Sequence, residues 1–189
     1  PKYFFIAASG NKKHFTKKNL KKIYSSMKKE QKKFKISIGG GDTVKSNKLS
    51  ISITSVGFSD KIVQRNNSKI NDDVYVTGNL GDSYTGLCIL KNRIKTDKSN
   101  KKFFIDKYYS PQLHLNFTRK LFKIANSSID ISDGLFADLE KLINTQKISY
   151  KVCLDKIPIS NNLNKLLIKK NFKKINFVSN GDDYQILFT

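Results

Sequence analysis

Histidine, cysteine and arginine are all scarce in this 189-residue chain, and each scarcity removes a class of chemistry. The two histidines, His14 and His114, stand far apart and lack the spacing of a zinc motif. The two cysteines, Cys88 and Cys153, have no CxxC partner. Each lies in an apolar stretch, GLCIL or YKVCL, and reads as a small buried hydrophobe in a reducing compartment. No Ser–His–Asp or Cys–His pair can be assembled, so nucleophilic acyl chemistry is not indicated. No apolar run approaches the length of a membrane span and no signal peptide opens the chain, which makes the cytoplasm the expected location.

Acidic residues are also few: 15 Asp and Glu stand against 36 Lys and Arg, a formal charge of +21. Such a balance raises the question of nucleic acid. Yet the only arginines are Arg65, Arg93 and Arg119, and arginine is the residue that reads bases and clamps phosphates bidentately. The lysines are spread, with Lys17–Lys18, Lys21–Lys22, Lys28–Lys29 and Lys32–Lys33 placed along one expected helix as a solvated face would place them. A basic nucleic-acid-binding module is therefore kept only as an alternative.

What is present is a series of short apolar runs separated by Gly, Asn and Asp, as in a globular protein. Strands are expected at 2–8, 34–38, 49–58, 73–77, 128–131, 148–154 and 184–188. Helices are expected at 17–33, with Thr16 as cap, and at 82–91, 101–109, 112–125, 133–144 and 161–170. This alternation indicates a mixed α/β class. The polar stretch 59–72, SDKIVQRNNSKIND, marks a plausible boundary. Both ends read as cut. Pro1 leads at once into an apolar run, and Tyr184–Thr189 reads as a strand with no turn after it.

Four motifs offer chemistry. Gly39-Gly40-Gly41-Asp42-Thr43 follows a strand; its glycines suit close approach to phosphate and Asp42 offers a hard oxygen to magnesium, although a plain glycine turn explains it as well. In Ile129-Asp130-Ile131-Ser132-Asp133-Gly134, Asp130 and Ser132 share a strand face and Asp133 opens a helix. A helix cap accounts for one of these residues but not for Asp130 in an apolar strand. Asn180-Gly181-Asp182-Asp183 reads first as a hairpin turn, with two carboxylates able to bind a metal or a cationic substrate. Thr77-Gly78-Asn79-Leu80-Gly81-Asp82-Ser83 is a strand–loop–helix connection, either an anion site or a close-packed join. This inventory of carboxylates, glycines and hydroxyls fits phosphoryl transfer, in which positioning and charge neutralisation carry the catalysis.

Taken in order, GGDT, DDVYVTGNLGDSYTGL, IDISDGLFADL and GDDYQILFT resemble the thiamine-monophosphate kinases along the whole chain. The wider superfamily includes aminoimidazole ribonucleotide synthetase, selenophosphate synthetase and a hydrogenase maturation factor. The resemblance implies a two-domain PurM-like fold of α/β (α+β) class. Residues 1–62 would be a partial N-terminal, dimerising domain with a mixed sheet, and 73–189 a partial C-terminal α/β domain. It implies ATP- and magnesium-dependent transfer of a phosphoryl group to thiamine monophosphate, giving thiamine diphosphate and ADP, in a homodimer. It also implies site residues. Asp42, Asp130 and Asp133 would be catalytic magnesium ligands; Gly41, Asp42, Arg65, Ser132 and Tyr24 would face ATP; Asp182 would lie near the thiamine substrate. Asp42, Asp130 and Asp133 are then expected to meet around divalent cations holding a triphosphate. Asn67 and Asn71 replace glycines common in that stretch, and asparagine tolerates left-handed turns. Position 180 is Asn where Gly is usual. Another ATP-using enzyme of the same superfamily, or a paralogue that folds without turnover, remains open on the sequence.

Overall fold

A computed structural model describes residues 1–189. The chain divides into two compact units, Pro1–Asp60 and Lys61–Thr189. No helix is long and apolar enough to cross a membrane.

The first unit is a βαβ element with one added strand. β1 (Tyr3–Gly10) pairs in parallel with β2 (Ser37–Lys45) and antiparallel with β3 (Ser50–Val56), in the order β2-β1-β3. α1 (Lys17–Phe34) forms the crossover. It starts where the Thr16 side chain accepts the Asn19 N–H, as the sequence suggests, and stops at Lys35 in the left-handed region, φ 53°. The three glycines do not form a turn after a short strand. They lie within β2, and the register against β1 slips between Phe4 and Phe5, which face Ile38 and Gly40. A Cβ on Gly39 would meet the Phe5 ring at 2.7 Å, and one on Gly41 would strike the carbonyl oxygen of Ile6. Close strand packing therefore uses these glycines. Phe4 is the one buried apolar side chain in this unit, and β3 is exposed on both faces rather than on one.

The second unit has a small antiparallel sheet, β4 (Tyr75–Val76), β6 (Ile186–Phe188) and β5 (Ser128–Asp130), with β6 central. The unit also holds six helices: α2 (Asp82–Leu90), α3 (Lys98–Tyr109), α4 (Leu115–Leu121), α5 (Leu135–Ile143), α6 (Asn161–Lys170) and α7 (Ile175–Val178). One core joins Leu135, Leu139 and Leu142 of α5 to Leu187 of β6 and to Leu80 and Ile131. The expected spacing of leucines in α5 is the physical basis of that layer. A second core gathers Cys88, Phe104, Leu163, Leu167 and Phe177 from α2, α3, α6 and α7.

Several elements differ from expectation for local reasons. α3 starts at Lys98 because the Asp97 carboxylate accepts the Asn100 N–H at 2.9 Å, a cap inside what reads as a loop. That bond, with a second from the Asn100 side chain, lowers the Asp97 pKa to about 2. The expected strand at 148–154 is irregular and ends in a 3-10 turn at Leu154–Lys156. Its alternation survives, with Tyr150 and Val152 turned inward against the α5 core, but it finds no ladder partner. Cys153 is consequently exposed rather than buried. Asn180-Gly181 follows α7, itself unforeseen, and does not join two strands as a hairpin would. Asn71 does take a left-handed conformation, φ 69°, and so does Asn66, φ 60°, in place of Asn67.

Candidate functional site

The sequence-derived site residues fall in both units. Asp42, Gly41 and Tyr24 belong to the first. Asp42 is exposed on β2, and its carboxylate accepts the N–H of Thr43 at 2.7 Å. Gly41 precedes it on the same strand, and Tyr24 is exposed on α1.

Arg65, Asp130, Ser132, Asp133 and Asp182 belong to the second unit, which brings them close. A cleft of about 690 Å³ is lined by Arg65, Asp130 and Ser132, with Gln64, Asn66, Asp138 and Lys141. Two anchors set Arg65 there. The Ser128 N–H donates to the Gln64 carbonyl at 3.2 Å, which ties the segment to β5. The Asn66 N–H donates to the Leu142 carbonyl at 2.7 Å, which ties it to α5. Asp130 ends β5 with its side chain exposed, so its charge is solvated and needs no buried counter-ion. Ser132 lies in the bend beyond the strand.

Asp133 does not cap α5. The residue before the helix is Gly134, and no side chain caps it in the forward sense. Instead Asp138, in the helix, reaches back. Its Oδ2 accepts the N–H groups of Ser132 at 2.9 Å, Asp133 at 2.9 Å and Gly134 at 3.2 Å. Its Oδ1 accepts from Lys141 Nζ at 2.8 Å, and the same ammonium donates to Asp133 Oδ2. These bonds, that to Asp133 foremost, raise the Lys141 pKa. Replacing Asp138 with Ala should cost about 1–3 kcal/mol, because the loop amides lose their acceptor. Urea unfolding of both forms measures this.

Two glycines press a second loop onto this one. A Cβ on Gly134 would strike the carbonyl oxygen of Ser179, and one on Gly181 would strike that of Ser132. The Asp182 N–H donates to the Ser132 carbonyl at 3.0 Å, and the Tyr184 N–H to Ile131 at 2.9 Å. Asp182 is thus a direct neighbour of the Ser132 loop, held at φ 69°.

Asp183, its sequence neighbour, does a different job. It is buried, and it accepts the N–H of Gly81 at 2.6 Å and of Ser83 at 3.1 Å. The amides of the Thr77–Ser83 connection that an anion would use are thereby occupied. That connection is the close-packed join, with buried Asp82 accepting the Ser160 hydroxyl at 2.6 Å. Burial raises the Asp183 pKa to about 6, against the two amides, and burial raises that of Asp82 as well. A carboxyl whose pKa is higher folded than unfolded favours the fold most below its unfolded value, and this contribution is lost as pH rises through the folded value. Stability should therefore fall between about pH 4 and pH 6 on account of Asp183, and Asp183→Asn should flatten that slope. Urea midpoints across this range decide it.

Asp130 and Ser132 are hard-oxygen groups on one cleft wall. No group of three or more His, Cys, Asp or Glu side chains gathers as a ready metal cage. That donor set suits magnesium, which takes one or two carboxylates and completes its shell with phosphate oxygens and water.

No family model matches the chain. Relatives and solved structures do. The chain is 38% identical over 177 residues to the thiamine-monophosphate kinase of Buchnera aphidicola subsp. Acyrthosiphon pisum, covering 90% of this chain and 53% of the relative. It is 32% identical to the Aquifex aeolicus thiamine-monophosphate kinase over 171 residues, 90% of this chain and 56% of that one. The crystal structure of the Aquifex enzyme superposes with a TM-score of 0.90 at 30% identity, over 100% of this chain and 64% of that chain. The chain is a homologue of the thiamine-monophosphate kinases. The structure of AaThiL complexed with AMPPCP and TMP matches equally, with a TM-score of 0.90 at 30% identity over 61% of that chain. Escherichia coli HypE, at 15% identity and a TM-score of 0.69, shares the fold alone, over 99% of this chain and 58% of HypE. The fold is accordingly the mixed α/β, PurM-like one expected. The chain spans about half the length of the curated thiamine-monophosphate kinases it matches.

Sequence reasoning missed Asp138, Lys141 and the structural use of Asp183. The first two carried a readable signal. An acid in the first turn of a helix faces free amides, and a lysine three residues on faces that acid.

Proposed function

We propose that this chain forms part of a thiamine-monophosphate kinase, which transfers the γ-phosphoryl group of ATP to the phosphate of thiamine monophosphate. The reading rests on one cleft, where Arg65 stands with Asp130 and Ser132 although the residues are distant in sequence. It is supported by the likeness to a kinase complexed with AMPPCP and TMP. In this proposal residues 1–62 and 73–189 are parts of the two PurM-like domains.

Asp42, Asp130 and Asp133 would hold magnesium, which supplies neutralisation of the crowded phosphate charge. Arg65 and Ser132, with Gly41, Asp42 and Tyr24, would face the nucleotide. The planar guanidinium of Arg65 suits two phosphate oxygens at once, and the Ser132 hydroxyl donates a single bond. Asp182, held against the Ser132 loop, would meet the cationic thiamine substrate. The acceptor phosphate is already anionic, so no strong general base is needed. The scarcity of histidine is consistent with that. A homodimer is proposed through the first unit, where Ile51 and Ile53 of β3 stand exposed.

The test is to incubate the intact protein with ATP, thiamine monophosphate and magnesium, and to separate the products chromatographically. Thiamine diphosphate and ADP should form in equal amounts, and chelation of magnesium should stop both. ADP release that ignores thiamine monophosphate would overturn the proposal.

A further inference from the structure

Lys141 is unaccounted for by the roles above, yet it lines the polar cleft. Its ammonium bridges two carboxylates of unequal freedom. Asp138 is 1% exposed in its side chain, and one of its oxygens is committed to three backbone amides. Asp133 is 64% exposed in its side chain, and its carboxylate pairs with Lys141. The Asp138 end is therefore a fixed post, and the Asp133 end is a solvated ion pair that costs little to break.

We infer that Lys141 is a positioning residue that exchanges with a divalent cation at Asp133. Without metal the ammonium neutralises Asp133 and keeps it against the α5 loop. A divalent cation that reaches Asp133, beside the cleft, takes the carboxylate, because two cations cannot share it closely without repulsion. Lys141 stays bonded to Asp138. The N–H released from Asp133 then faces the cleft with Arg65, where it can meet a phosphate oxygen. The lysine thus sets cation affinity by competition, and it couples arrival of the metal to exposure of a second positive group. This inference rests on the proposed metal role of Asp133.

The test uses manganese ions as probe, titrated into nucleotide-free intact protein and followed through the electron paramagnetic resonance signal of free Mn²⁺. Lys141→Met should tighten binding by about two- to fivefold, the range a solvated ion pair allows. Lys141→Arg should stay close to wild type, since it keeps the charge. Asp133→Asn should weaken binding. Unchanged or weaker binding in Lys141→Met, with Asp133→Asn still weakened, overturns the exchange and leaves the metal role standing. Wild-type binding in Asp133→Asn overturns both. Thermal unfolding of each variant keeps loss of fold distinguishable, and Lys141→Gln provides a second neutral side chain should the methionine variant unfold.

Discussion

Under the kinase function proposed above, Asp133→Asn should lower magnesium-dependent formation of thiamine diphosphate by about 100-fold or more, the scale on which single electrostatic groups act in preorganised sites. The same change should leave the unfolding midpoint nearly untouched. The side chain is exposed, it caps no helix, and it forms a surface pair with Lys141. Such pairs add little to stability. Asparagine preserves shape and one acceptor oxygen but removes the charge a divalent cation requires. A parallel loss of activity and of folding would mean that Asp133 serves the loop. Loss of activity with an intact fold would place it in the chemistry. Activity by product analysis and stability by urea unfolding, measured on the same preparation, separate the two.

Gly134→Ala should have the largest effect on stability, roughly 2–5 kcal/mol, from two sources that act together. Gly134 sits at φ 118°, a region that L side chains seldom enter, and its missing Cβ is where the Ser179 carbonyl lies. Neither can relax alone. The loop preceding α5 is fixed by Asp138, and the partner loop is fixed by the Asp182 and Tyr184 amides. Any shift that makes room must move Ser132 away from its place in the cleft and displace the adjoining Asp133. The variant should therefore lose nucleotide affinity even at temperatures where it stays folded, and calorimetric titration with an unreactive ATP analogue would measure this. Retention of both affinity and midpoint would show that the two loops are not packed as described.

Much of this was legible from residue order. The α5 leucines at helical spacing, the Thr16 cap and the alternation of strands with helices are local signals, and local signals depend on near neighbours in the chain. The ordered motifs also pointed to the kinase family, because several weak strings in a fixed order are far more specific than any one of them. Where the reading slipped, the deciding partner was remote. The segment at 148–154 alternates as a strand should, but no neighbouring strand pairs with it. The glycines before Asp42 invite a phosphate, yet Phe5 and Ile6 of an adjacent strand require them.

The sequence by itself determined the class of fold, the ends of most helices and the residue types available for phosphate and metal, since these follow from periodicity, capping and side-chain chemistry. Tertiary structure alone decided which of two adjacent aspartates is structural: Asp183 turns to the amides of Gly81 and Ser83, far away in the chain. It likewise decided that Arg65 shares a cleft with Asp130. A hydrogen-bond partner or a cleft wall is a relation between distant residues, and only packing brings such residues within a few ångströms of each other.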